Sequence, residues 1–178
     1  DMQLPQHLQN MGELHNLVIR RGTLTNEDRF QINDHIVQTY AMLKALPWPD
    51  HLSRVPHFAA THHEKLDGTG YPRRLDQRQL SVLDRVMAIA DVFEALTASD
   101  RPYKAPKTVS ESLKIMAFMC NDRHIDTDLF VYFLRQGVWR VYAEKYLDPQ
   151  QIDVVDLDKI EAMLKRPAEP GSNQSAQT

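Results

Sequence analysis

The chain has 178 residues, 42% of them apolar and 25% charged, the composition of an ordinary globular protein long enough to bury a real core as one domain. A net charge of −3 excludes a general basic field for duplex nucleic acid, so any phosphate must be met by local cations. The single cysteine, Cys120, excludes an intrachain disulfide and a cysteine-built zinc cage and suits a reducing, cytoplasmic setting; no long uncharged apolar run offers a membrane span.

Residues 1–25 show little periodicity beyond Leu14, Leu17 and Val18 and read as loop, with His7 and His15 as surface or packing histidines. Thr25 opens a Thr-Asn-Glu-Asp helix start that sets acids at the positive end of the dipole. Phe30, Ile32, Ile36, Val37, Tyr40, Leu43 and Leu46 then give an apolar stripe, which Pro47 ends. His35 sits mid-helix, where a lone histidine is ordinarily a hydrogen-bonded core residue. His51 and His57 flank the connection after Trp48 and read as surface residues.

A second helix over 52–64 is expected to deliver His62 and His63 near its C-terminal end. Neutral imidazole is the commonest side-chain metal ligand, and Glu64 and Asp67 follow, so the stretch HHEKLDGTGYP at 62–72 offers nitrogen and oxygen donors together. Adjacent helical side chains point about 100° apart, so both imidazoles can serve one centre only if it lies between this helix and others. Gly68 and Gly70 permit a tight turn or a close approach to a ligand, and Pro72 fixes the exit. The loop 65–80 is too long for a minimal connection and reads as functional. Tyr71 either packs beneath the site or makes a surface contact.

A third, apolar helix spans 81–97, with Val82, Val86, Ile89, Ala90, Phe93 and Leu96 in it. Asp91 interrupts that run, and a carboxylate there must be paired, hydrogen-bonded or bound to a cation: a salt bridge with Arg85, a nearby cap, or a metal. Glu94, one turn on, is an acceptor able to orient a ligand or a base. Arg101 and Lys104 follow the helix end, where cations complement the dipole and where a guanidinium fork and an ammonium suit phosphate. Helices over 108–119, opened by a Thr-Val-Ser-Glu capping box, and over 126–136 and 138–146 around Gly137 complete the set, with methionines, aromatics and Cys120 as core. A short helix is expected within 148–164 with its acids on a solvated face, and 166–178 reads as a mobile tail.

The 62–72 string resembles the signature of the HD-GYP family of bacterial cyclic dinucleotide phosphodiesterases, a doubled histidine ahead of DGxGYP, and matches it at Asp67, Gly68, Gly70, Tyr71 and Pro72. The likeness continues through RGTLT at 21–25, His35, AIADVFEALT at 88–97 and DRPYK at 100–104. It implies an all-α, HD-domain-like helical bundle over 1–165. It also implies that His35, His62, His63 and Asp91 hold two or more divalent metal ions, iron or manganese by family habit, with zinc, nickel or magnesium as alternatives. Such a mixed imidazole and carboxylate set suits iron, manganese or zinc better than calcium.

By the same resemblance Arg101 and Lys104 grip the substrate phosphates with Gly70 and Tyr71 beside them, and Asp67 and Glu94 are the catalytic acids. The implied reaction is hydrolysis of cyclic di-GMP or 3'3'-cyclic GMP-AMP to the linear dinucleotide or GMP in second-messenger signalling. A diguanylate cyclase (GGDEF) domain docking through the GYP loop and a homodimer are the implied partners. The His-Asp pair that bridges the family's metals is missing: the sequence has no such dipeptide, and Asp34-His35 is the reverse order. RGTLT normally follows that pair, so the expectation is the C-terminal part of the domain. Two other readings stay open, a cyclic dinucleotide-binding or cyclase-docking module with an incomplete metal site, and another HD-type phosphohydrolase acting on nucleotides.

Overall fold

The computed structural model describes residues 26–98 and 106–165. Among these the chain forms seven α-helices and no strand: α1 (Asn26–Lys44), α2 (Val55–Ala59), α3 (Val82–Thr97), α4 (Val109–Asn121), α5 (Thr127–Arg135), α6 (Val138–Tyr146) and α7 (Leu157–Ala162). Two 3₁₀ turns, Asp50–Leu52 and Pro149–Gln151, lie between them. The all-α expectation holds. The readings made for residues 1–25, for Arg101 and Lys104, and for 166–178 lie outside the described residues.

The core is built by α3 to α7. Ile89 and Phe93 of α3 meet Leu113, Met116 and Cys120 of α4, Phe130 and Leu134 of α5, Trp139 and Ala143 of α6 and Ile160 of α7 in one buried cluster. Edge-to-face contacts set the Phe93 ring 5.3 Å from Phe133 and 5.6 Å from Tyr142. Burial pushes the Cys120 thiol up to about 12, as expected of a small core residue rather than a reactive one. Helix starts follow the sequence closely. Ser81 and Asp84 cap α3 reciprocally, Thr108 and Glu111 cap α4 in the same way, and Asp126 caps α5.

Three expectations change. The helix over 52–64 is instead a 3₁₀ turn followed by the five-residue α2, after which residues 60–63 form turns. Backbone bonds three residues apart, Thr61 N to Phe58 O at 3.3 Å and Glu64 N to Thr61 O at 2.9 Å, replace the α-helical pattern there. Second, the apolar stripe of α1 is mostly open: Ile36 is buried, but Ile32 and Leu46 are each 52% exposed. α1 packs on α2, and a helix of five residues covers only a narrow strip of one with nineteen.

Third, the acids of 148–164 form a solvated face only in part: Asp148, Asp156 and Asp158 are exposed, whereas Asp153 and Glu161 are half-buried and bonded. Asp148 caps the second 3₁₀ turn and Asp156 caps α7. The Asp153 carboxylate accepts from Ser110 N at 2.8 Å and Ser110 Oγ at 2.6 Å, and Glu161 takes two bonds from the Arg135 guanidinium. His57 is likewise more than a surface residue. Its Nε2 lies 3.4 Å from Asp84 Oδ1, and its Nδ1 accepts from Arg73 Nη2 at 3.2 Å.

Candidate metal centre

α1 presents His35 from its middle, exposed rather than in the core, and the turn beyond α2 presents His62 and His63, both half-buried. Their rings converge, with centroids 5.4 Å apart for His35 and His63 and 4.3 Å apart for His62 and His63. One ring nitrogen from each histidine lies within 4.8 Å of the other two. An imidazole nitrogen sits about 2.1 Å from a first-row ion, so two donors on one ion are at most about 4.2 Å apart. A set held within 4.8 Å therefore suits one ion with at most a small inward rotation, or more than one ion.

The free lone pairs can be assigned. His35 Nδ1 faces the Ile32 carbonyl, and His62 Nδ1 lies 2.8 Å from Ala59 O. A carbonyl only accepts, so both rings carry their proton on Nδ1 and keep the Nε2 lone pair. Burial and the neighbouring His62 push His63 down to about 4, with Asp91 pulling weakly the other way. Near neutral pH His63 is therefore uncharged, the form that binds a metal. Three imidazoles with a carboxylate beside them fit a first-row divalent ion.

Asp91, on α3, brings Oδ2 to 3.9 Å from His63 Nδ1, at the edge of the triad. The salt bridge to Arg85 that competed for it is not formed: Arg85 Nη1 instead donates to Asp126 Oδ2 at 2.6 Å. Tyr71 packs on the site, its ring centroid 4.8 Å from that of His63 and tilted by 33°. Burial, then the negative charge of Asp91, raises its hydroxyl above the ordinary tyrosine range.

Of the expected catalytic acids, neither belongs to the histidine group. Asp67 is exposed, and its Oδ1 accepts from Thr69 N at 2.8 Å and Thr69 Oγ1 at 2.7 Å. Burial works against ionisation of Asp67, but those bonds and the charge of Lys65 together outweigh it and hold the carboxyl below the usual range. Glu94 is exposed, and its charge acts on Tyr142 of α6, whose hydroxyl is raised first by burial and then by Glu94. Gly70 is buried, and a Cβ there would stand 2.4 Å from Lys65 N, so it is needed for backbone packing.

Two carboxylates do more than the sequence suggested. Glu64, read only as a further donor beside the histidines, is 2% exposed and takes N–H bonds from Arg73 and Leu75. Asp84 joins Thr61, just ahead of His62, to the start of α3 through a 2.5 Å hydroxyl bond. A Ser-x-x-Asp cap pattern was the signal that could have found Asp84, whereas nothing in the local spacing points to Glu64 as a tether.

The family model described as HD domain matches residues 1–129. The chain is 41% identical over 95 residues to a cyclic di-GMP phosphodiesterase of Pseudomonas aeruginosa, a stretch covering 53% of this chain and 22% of that protein. It is 31% identical over 131 residues to 3'3'-cGAMP-specific phosphodiesterase 1 of Vibrio cholerae, covering 72% of this chain and 30% of the relative. A cyclic di-GMP phosphodiesterase of Thermotoga maritima is 32% identical over 117 residues, 64% of this chain and 31% of its own. The chain thus spans less than a third of the length of these curated relatives. It belongs to the HD-domain family, and the proteins it is similar to are phosphodiesterases of the HD-GYP type.

Proposed function

We propose that this chain carries the metal-binding part of a phosphodiesterase acting on cyclic di-GMP or 3'3'-cyclic GMP-AMP. The observation that carries the reading is the convergence of His35, His62 and His63, drawn from two elements far apart in sequence, with Asp91 of a third element beside them. In this reading those four residues hold divalent ions, iron or manganese first, which supply Lewis acidity to a phosphodiester when bound. His35 and His62 are oriented by the carbonyls that fix their tautomers, as metal-binding histidines are elsewhere.

Tyr71 then walls the site beside His63 and excludes water from that side. Asp67 commits Oδ1 to Thr69, which shapes the loop. Arg101 and Lys104 remain the proposed grip on the phosphates. One observation favours a second reading, a module that binds the nucleotide without cutting it: the sequence holds no His-Asp dipeptide to add further ligands.

The test is turnover. With Mn²⁺ or Fe²⁺ supplied, the full-length protein is expected to convert cyclic di-GMP or cyclic GMP-AMP to a linear product resolved by chromatography. Chelation should abolish this, and His62→Ala should lower it by at least about 100-fold, since even residues that merely orient metal ligands cost 10- to 100-fold. Tight nucleotide binding with no product under any metal would overturn the hydrolytic reading and leave the binding module.

A further inference from the structure

We propose that Glu64 is a positioning residue, which clamps the loop 65–75 so that Tyr71 lies on His63, and thereby governs how a cyclic dinucleotide seats rather than how metal is held; the substrate in this statement rests on the function proposed above. Glu64 follows His63 directly, yet it is not part of the histidine group. Its carboxylate is turned inward. Oε1 accepts from Arg73 N at 2.7 Å and Oε2 from Leu75 N at 2.9 Å, so each oxygen already serves the loop.

The same loop closes on the other side of Glu64. At Gly70 the chain passes so near that a Cβ would meet Glu64 Cα at 2.5 Å and its carbonyl carbon at 2.7 Å. The next residue, Tyr71, donates its N–H to His63 O at 3.3 Å and lays its ring on the imidazole. The loop is therefore held at its glycine by contact with the Glu64 backbone, and at its far end by the Glu64 side chain.

Arg74 shows that the clamp bears a load. It sits between the two residues whose N–H groups Glu64 grips, and its φ of 57° is a left-handed conformation that a side chain with a Cβ adopts when its neighbours over-determine it. The clamp also aims the arginines on that edge: Arg73 reaches His57, and Arg74 is exposed to solvent. Hydrogen bonds to a buried carboxylate are short and strong, and losing one leaves a loop N–H without its acceptor.

Glu64→Gln isolates the clamp. The shape is kept, the amide oxygen replaces one acceptor, and the NH₂ group faces the other N–H with nothing to accept it. The variant is compared with wild type in three ways: Mn²⁺ affinity by calorimetry, KM and kcat for cyclic di-GMP, and amide hydrogen exchange at Arg73 and Leu75. The expected result is Mn²⁺ affinity within about twofold, KM raised about tenfold with kcat little changed, and exchange at one of the two amides faster by about tenfold or more.

Unchanged KM and exchange would overturn the proposal. So would a loss of Mn²⁺ affinity, which would place Glu64 in the metal site. If the variant does not fold, wild-type exchange decides: protected amides at Arg73 and Leu75 support the clamp, and unprotected ones overturn it. If wild type neither binds nor cuts cyclic di-GMP, the proposed substrate fails on its own, while exchange and Mn²⁺ affinity still judge the clamp.

Discussion

Asp84 concentrates the physics of a single buried side chain in this protein. It is 1% exposed and accepts from Ser81 N at 2.8 Å, Ser81 Oγ at 2.6 Å and Thr61 Oγ1 at 2.5 Å. Burial alone would favour the protonated acid; the bonds from Ser81 and Thr61 outweigh it, and His57 adds to them, so the carboxyl is held below its usual value of 3.8. The unfolded chain then takes up this proton at a higher pH than the folded one. The stability that Asp84 contributes is therefore present above the unfolded value and is lost as pH falls through the lower, folded value. Asp84→Asn should cost about 1–3 kcal/mol in urea unfolding at neutral pH and weaken the acid dependence of stability. A variant as stable as wild type with the same acid dependence would contradict this account.

At the scale of elements, two glycines separate two causes, Gly70 in the loop after α2 and Gly137 between α5 and α6. Gly137, with φ 66°, has nothing within 4 Å of an added Cβ, so Gly137→Ala should pay only the left-handed backbone penalty, about 1 kcal/mol. Gly70→Ala drives a Cβ into the backbone of Glu64 and Lys65, none of it the end of a flexible chain, and should cost more, about 1–3 kcal/mol. Urea unfolding of both variants checks the order, and the reverse order would show that the contact at Gly70 is not tight.

Elements with caps and strong periodicity were legible in the sequence. Ser81 and Asp84 fix where α3 starts, Thr108 and Glu111 do so for α4, and α6 lies where the pattern around Gly137 placed it. The end of α2 was not, because a change to backbone bonds three residues apart leaves the hydrophobic periodicity unchanged. The long-range bonds of Glu64 and Asp153 escaped for a related reason. They join residues nine to 43 positions apart, and local patterns carry no such distances.

In the molecule as a whole, α3 to α7 share one core, and among the described residues α1 and α2 are tied to it by helix contact between α2 and α3, the Thr61–Asp84 bond, the pairing of His57 with Asp84 and the approach of His63 to Asp91. The candidate metal centre lies on that seam. Its doubled histidine was a site signal only within the whole 62–72 string, and His35 and Asp91 joined it through resemblance, since mid-helix residues of either type are ordinarily structural. A bound ion would tie α1 to the turn beyond α2, so the account depends on these histidines acting together.

Titration of Mn²⁺ into the full-length protein, and into His35→Ala, His62→Ala and His63→Ala, tests that dependence most directly. The account predicts that wild type binds and that each substitution weakens binding by at least about tenfold. Wild-type affinity in all three variants would contradict it.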